Sequence, residues 1–132
     1  MKPEKHFEAF IEHKESIFEW ALKIKGLKNS QRIVGLHSGR GIVELLSWFL
    51  ESAGKIKPGM QINHRWFKSQ SVGERFPDFP NKKEIIEKLI LLETLSENLS
   101  YGSPKSEDEI KKVLVLFNEL EKIIMGARNG QI

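Results

Sequence analysis

The side chains with most chemistry to offer fall in two stretches of this sequence. The first, Ile33 to Trp48, carries His37, Arg40 and Glu44. On a helical wheel these three share one narrow sector with Ile33 and Trp48. A histidine can move a proton, an arginine can grip a phosphate with a fork of N–H donors, and a glutamate can orient either. The second stretch, Met60 to Ser69, places His64 and Arg65 just before Trp66 and Phe67. An aromatic pair beside His and Arg can stack a base and contact a phosphate, as single-stranded nucleic-acid sites do. The same residues can equally be an anchor, with Trp66 and Phe67 buried as packing and His64 and Arg65 at the rim. The stripe on the first stretch has its own plain alternative, a solvated i,i+4 pair of Arg40 and Glu44 with His37 as bystander.

Two further pairings carry less chemistry. His6 and His13 are seven residues apart and share a face with Phe10 between them. No third ligand stands near them, and catalytic zinc draws three protein ligands. They read as ordinary surface histidines, and no metal is expected. Arg32 and His37 could each contact a phosphate, but residues five apart on one helix point about 140° apart, so they would not converge without a partner chain. With no cysteine, the chain has no disulfide framework, thiolate metal site or cysteine nucleophile. No cofactor fingerprint occurs. Lys and Arg number 21 against 18 Asp and Glu, and a net charge of +3 does not by itself announce nucleic acid.

These residues need elements to position them, and the clearest is a helical hairpin from Lys82 to Met125. In its first arm Ile85, Leu89, Leu92, Ser96 and Leu99 recur at alternating steps of four and three; in its second, Ile110, Val113, Phe117, Leu120 and Ile124 do so. Two such stripes joined by a short turn pack antiparallel to hide them from water. The hinge runs from Ser100 to Pro104: Gly102 suits a left-handed helix end, Pro104 stops continuation, and Ser106 with Glu109 reads as a capping box. Asn81 is expected to cap the first arm.

Upstream, Lys5 to Lys25 reads as the first helix, with Phe7, Phe10, Ile11, Ile17, Phe18, Ala21, Leu22 and Ile24 as its apolar face and Gly26 as its stop. The second helix, about Ser30 to Ser52, is apolar over most of its circumference, with Leu36 among the apolar positions, so it is expected at the centre of the bundle. Gly35, Ser38, Gly39 and Gly41 flank its polar stripe, where each glycine costs roughly 0.5 to 1 kcal/mol relative to alanine. Close approach of another backbone, of a second copy or of a ligand would offset that. Met60 to Ser69 predicts a short third helix, and Phe76-Pro77-Asp78-Phe79-Pro80 a loop pinned by its phenylalanines. The fold class is therefore all-α, an up-and-down bundle of four long helices plus one short helix. One domain is expected over residues 1–125, followed by a flexible C-terminal tail over 126–132. The start of the chain lacks an apolar h-region and no run approaches a membrane span, so the expected setting is soluble and cytoplasmic. Richness in Lys, Glu and Ile without cysteine suits a heat-adapted source.

The order of a broad apolar second helix, a short segment containing His64, and a helix closing in Glu97-Asn98-Leu99-Ser100-Tyr101-Gly102-Ser103-Pro104 resembles the HEPN family of small helical bundles, from Phe7 to Ile124. Members that cleave RNA carry an Arg-Asn-x-x-x-His pattern at the end of this helix, the arginine and histidine acting on the scissile phosphate without metal. Here Asn98 matches, but Glu97 and Gly102 stand at the arginine and histidine positions. A carboxylate repels phosphate, and glycine has no proton to transfer. The resemblance thus implies a non-catalytic module that works as a homodimer or as the helical partner of a minimal nucleotidyltransferase, with no cofactor. His37, Arg40, Glu44, His64, Arg65, Asn98 and Tyr101 are then the candidates for contact with a nucleotide, an RNA or a partner. Two other classes stay open: a metal-independent, toxin-like ribonuclease using His37 or His64 with Arg40 or Arg65, and a purely structural interaction protein whose polar stripe meets only water.

Overall fold

Pro3 opens the first helix, a position where its missing N–H has no intrahelical partner to lose. In the computed structural model, which describes residues 2–101 and 103–129, α1 spans Pro3–Glu15 and continues without a break as a π-helical segment, Ser16–Lys25. The wider π turn advances each residue by a smaller angle than an α turn. Ile17 and Ala21 stay buried, but Ile24, expected on the apolar face, is 66% exposed, as is Trp20. Gly26 ends the segment at φ 81°, a left-handed value that glycine adopts without strain.

The centre of the molecule is α2, Gln31–Ser52, which packs against α1, α3 (Lys82–Ser100) and α4 (Glu107–Asn129). The two hairpin stripes, Ile85 to Leu99 and Ile110 to Ile124, are buried as their periodicity predicts. The capping box forms: Ser106 N–H donates to Glu109 Oε2 at 2.9 Å and Glu109 N–H to Ser106 Oγ at 3.2 Å. Asn81 precedes α3 but caps nothing with its side chain. It takes the left-handed conformation itself, φ 61°, which swings its side chain away from the first N–H groups of the helix. Gly102 lies outside the described residues. The hinge is fastened by a side chain from α2: Gln31 Nε2 donates to the carbonyls of Leu99 and Ser103 at 3.2 and 3.3 Å, and its Oε1 accepts from Lys105 N–H at 2.7 Å.

Met60 to Ser69 yields less helix than its composition predicts, a single 3₁₀ turn over His64–Lys68, followed by a second over Val72–Arg75. Asn63 starts the first turn by accepting from Arg65 N–H at 2.9 Å. Phe67, Val72, Phe76 and Phe79 are buried and pin the whole connection to the bundle. Trp66 is half-buried rather than fully so, with the Arg75 guanidinium 4.6 Å from its ring. At the other end α4 continues past Met125 to Asn129, with Ala127 buried and Arg128 4.8 Å over Trp48. Residues 126–129 are therefore helix, not tail, and 130–132 lie outside the described residues. The architecture is an all-α bundle of four long helices, with no strand among the described residues. No described helix is long and apolar enough to cross a membrane.

Candidate functional site: a cationic cleft between two helices and a turn

The glycines of α2 let α3 come close. A Cβ at Gly35 would stand 2.8 Å from Ser100 N and from the Ser96 carbonyl, and one at Gly39 would stand 3.2 Å from Glu93 Oε1. The neighbour that offsets the glycine penalty is thus another helix of the same chain. Beside this close approach, the His64–Lys68 turn closes the third side of a cleft of about 320 Å³. Its floor is Gly35, Gly39 and Ser96, and its walls carry Arg32, Arg40, Arg65 and Lys68. Leu36, expected inside, is instead 45% exposed at the rim, opposite Tyr101, which is 68% exposed.

The charges of this cleft do not cancel. Glu93, buried at its base, receives His64 Nδ1–H at 3.0 and 3.1 Å from its two oxygens. Glu97 is engaged by Lys68 Nζ at 2.8 Å. The guanidiniums of Arg32, Arg40 and Arg65 have no carboxylate partner among the described residues. Ser96 adds an unengaged hydroxyl. Ser47, Thr94 and Ser100 each bond the carbonyl four residues back, as helical hydroxyls commonly do, whereas Ser96 Oγ is buried with no hydrogen-bond partner among the described residues. Three free cations around this cleft form a site suited to an anion, since their guanidiniums offer hydrogen-bond donors to its oxygens.

Beyond Arg40 the surface dips again into a shallower cavity of about 470 Å³, which shares Arg40, His64 and Arg65 with the first and adds His13, Val43, Glu44, Gln61, Ile62 and Asn63. Here the polar stripe of α2 meets α1. His13 Nδ1 lies 2.8 Å from His37 Nδ1, and His6 Nδ1 donates to Glu44 Oε2 at 2.7 Å. Each step of seven along α1 is answered by a step of seven back along α2, as antiparallel neighbours require. Neither histidine of α1 is an ordinary surface residue: His13 is half-buried, and His6 is buried, with Glu51 Oε2 3.2 Å from its Nε2 without a hydrogen bond between them. Glu44 faces His6, not Arg40. Burial, then the nearby His37 and Arg40, lower the His13 pKa to about 4, and burial and Arg40 lower that of His37.

Of the residues expected to act, Arg40, His64 and Arg65 converge, Glu44 lines only the second cavity and Tyr101 only the first. His37 is turned to His13 and Asn98 is exposed, and neither lines the cleft. Arg32 and His37 face different surroundings, as their angular separation predicts. Sequence reasoning missed Lys68, Glu93 and Ser96. Glu93 and Ser96 carried a signal, a carboxylate and a hydroxyl three residues apart on the buried side of a heptad helix. No group of three or more His, Cys, Asp or Glu among the described residues could hold a metal ion. No protein-family model, curated protein or solved structure matches the chain.

Proposed function

We propose that this protein is a non-catalytic, HEPN-like helical module of the cytoplasm that holds the phosphate of a nucleotide or an RNA in the cleft between α2, α3 and the His64–Lys68 turn. It works as a homodimer or as the helical partner of a minimal nucleotidyltransferase. The observation that carries the reading is the convergence of Arg32, Arg40 and Arg65, free of carboxylates, over the unpaired Ser96 hydroxyl. Exposed Trp20 and Ile24, one turn apart on the π segment, support a protein contact on a separate face. One observation favours the ribonuclease alternative: His64, oriented by buried Glu93 and flanked by Arg65, has the arrangement of a general base. Transfer of a phosphoryl group between two oxygens also needs a proton donor. His37 is spent on His13, and Glu97 is ion-paired to Lys68.

The test is a cleavage and binding assay on single-stranded RNA with chelator present. No cleavage is expected, with binding that weakens as salt rises because released counterions contribute much of the affinity. Cleavage by the wild type that His64→Ala or His37→Ala abolishes would make the protein an enzyme; cleavage equal in all three would point to a contaminant. Absence of binding to RNA and nucleotides alike would remove the ligand from the reading. Sedimentation of the same preparation as a monomer would eliminate the homodimer and leave the nucleotidyltransferase pairing.

A further inference from the structure

The two cavities meet along a ridge of Arg40, His64 and Arg65, and their chemistry differs on either side of it. The first cavity offers donors and positive charge, which suit phosphate oxygens. The second is mixed: Val43 and Ile62, both nearly covered, lie at its base, His13 and Glu44 border it, and two carboxamides, Gln61 and Asn63, stand on its wall. Asn63 Oδ1 is occupied by Arg65 N–H at 2.9 Å, so its NH₂ remains to donate. Gln61 is exposed and its amide makes no hydrogen bond among the described residues, so it offers both a donor and an acceptor. A phosphate needs donors only. Free donors and acceptors side by side above an apolar floor match the flat face and mixed edge of a nucleobase.

We infer that the two cavities form one composite site for single-stranded nucleic acid, in which a phosphate sits over Arg40, His64 and Arg65 and the adjoining base lies on Val43 and Ile62, read by Gln61 and Asn63. The inference rests on the phosphate-binding reading above and narrows it from any nucleotide to a strand with a base preference. A mononucleotide can supply that phosphate and that base; a strand adds neighbouring phosphates, which can reach Arg32 in the first cavity. Arg40 contributes charge to both cavities and Gln61 to base choice alone, so the two residues separate affinity from preference.

The experiment measures binding of fluorescein-labelled oligo-A, oligo-U and oligo-C octamers, as RNA and as DNA, over a salt series, with unlabelled tripolyphosphate and mononucleotides as competitors. The wild type is expected to prefer one base by at least about fivefold, the scale of a well-placed side-chain pair on a base edge. Gln61→Ala should reduce that preference to within about twofold while keeping the salt slope. Asn63→Asp keeps the oxygen that accepts from Arg65 N–H and removes the donor, so it too should flatten the preference, whatever the added charge does to affinity. Arg40→Gln should weaken all the octamers about tenfold and lower the salt slope. Octamer binding with no base preference, or with a preference that both carboxamide variants retain, overturns the base subsite and leaves phosphate binding standing. A mononucleotide that competes as well as an octamer overturns the strand and leaves a nucleotide site standing. Failure of every octamer, nucleotide and polyphosphate to bind overturns both readings.

Discussion

His6 has exchanged nearly all of its water for carboxylates, with Glu44 on one ring nitrogen and Glu51 near the other, and Glu51 itself is buried without a hydrogen bond. Burying a carboxylate is tolerable only beside a compensating group. Removing the imidazole would strand Glu51 in the interior of the bundle. His6→Ala should therefore lower the unfolding free energy by about 3 kcal/mol, more than the lost ring contacts alone would explain. Urea denaturation measures it, and the double variant with Glu51→Gln should regain part of the loss, since an amide is less costly to bury than an unpaired carboxylate. A loss below about 1 kcal/mol would mean that this cluster does not tie α1 to α2. The same scale explains why Arg40 has no carboxylate partner among the described residues: the carboxylate one turn along the helix, Glu44, is already held by His6.

At the scale of elements, the glycines of α2 and α4 make opposite demands. Gly35→Ala would push a methyl group to 2.8 Å from backbone atoms of α3, which cannot rotate aside, so α2 and α3 must separate. A loss of about 1 to 3 kcal/mol is expected, together with weaker anion binding because the cleft floor moves. Gly126→Ala meets nothing within 4 Å in a helix, and should gain up to about 0.5 kcal/mol from the lower entropy of its unfolded chain. Thermal melts of the two variants check both signs, and a neutral Gly35→Ala would show that the contact is not tight in solution. The hairpin was legible because heptad periodicity, a hinge proline and a capping box are local signals, and Ile85 to Leu99 and Ile110 to Ile124 obey them. The turn at His64 and the π segment were not. Both depend on what the chain packs against: Phe67 and Phe76 stack at 5.9 Å between centroids to hold a 3₁₀ turn that its own residues would equally place in a helix. For the site, a single-helix wheel located Arg40 and the composition of Met60 to Ser69 located His64 and Arg65, but neither gave the partners of His37 and Glu44. Those partners follow only when the seven-residue step of α1 is laid antiparallel on that of α2.

The whole molecule inherits a pH dependence from this packing, because α1 is joined to α2 partly through the ring pair of His13 and His37. An Nδ1-to-Nδ1 bond of 2.8 Å holds one proton between the rings; a proton on each facing nitrogen would set two donors against each other. Arg40, on the same face of α2, opposes further positive charge, and Glu44 cannot offset it while bound to His6. His13 therefore titrates near pH 4 in the folded protein, against its ordinary 6.5 when unfolded. Between those values the unfolded chain binds a proton that the folded protein refuses, so stability is complete above about pH 6.5 and declines as pH falls towards 4. His13 is partly exposed, and solvent screening reduces the contribution to about 1 to 2 kcal/mol. Carboxylates titrate at the lower end of this range as well, so the informative quantity is the difference between the wild type and His13→Gln. Chemical denaturation at pH 7.5 and pH 5 should show the wild type losing more stability than the variant over that interval; equal losses would place the pH response elsewhere. An anion bound at Arg40 would neutralise one cause of the lowered pKa. Saturating polyphosphate should therefore narrow the gap between wild type and His13→Gln, with proton uptake on binding near pH 5.5, while a gap unchanged by ligand would mean that the cleft and the histidine pair act independently.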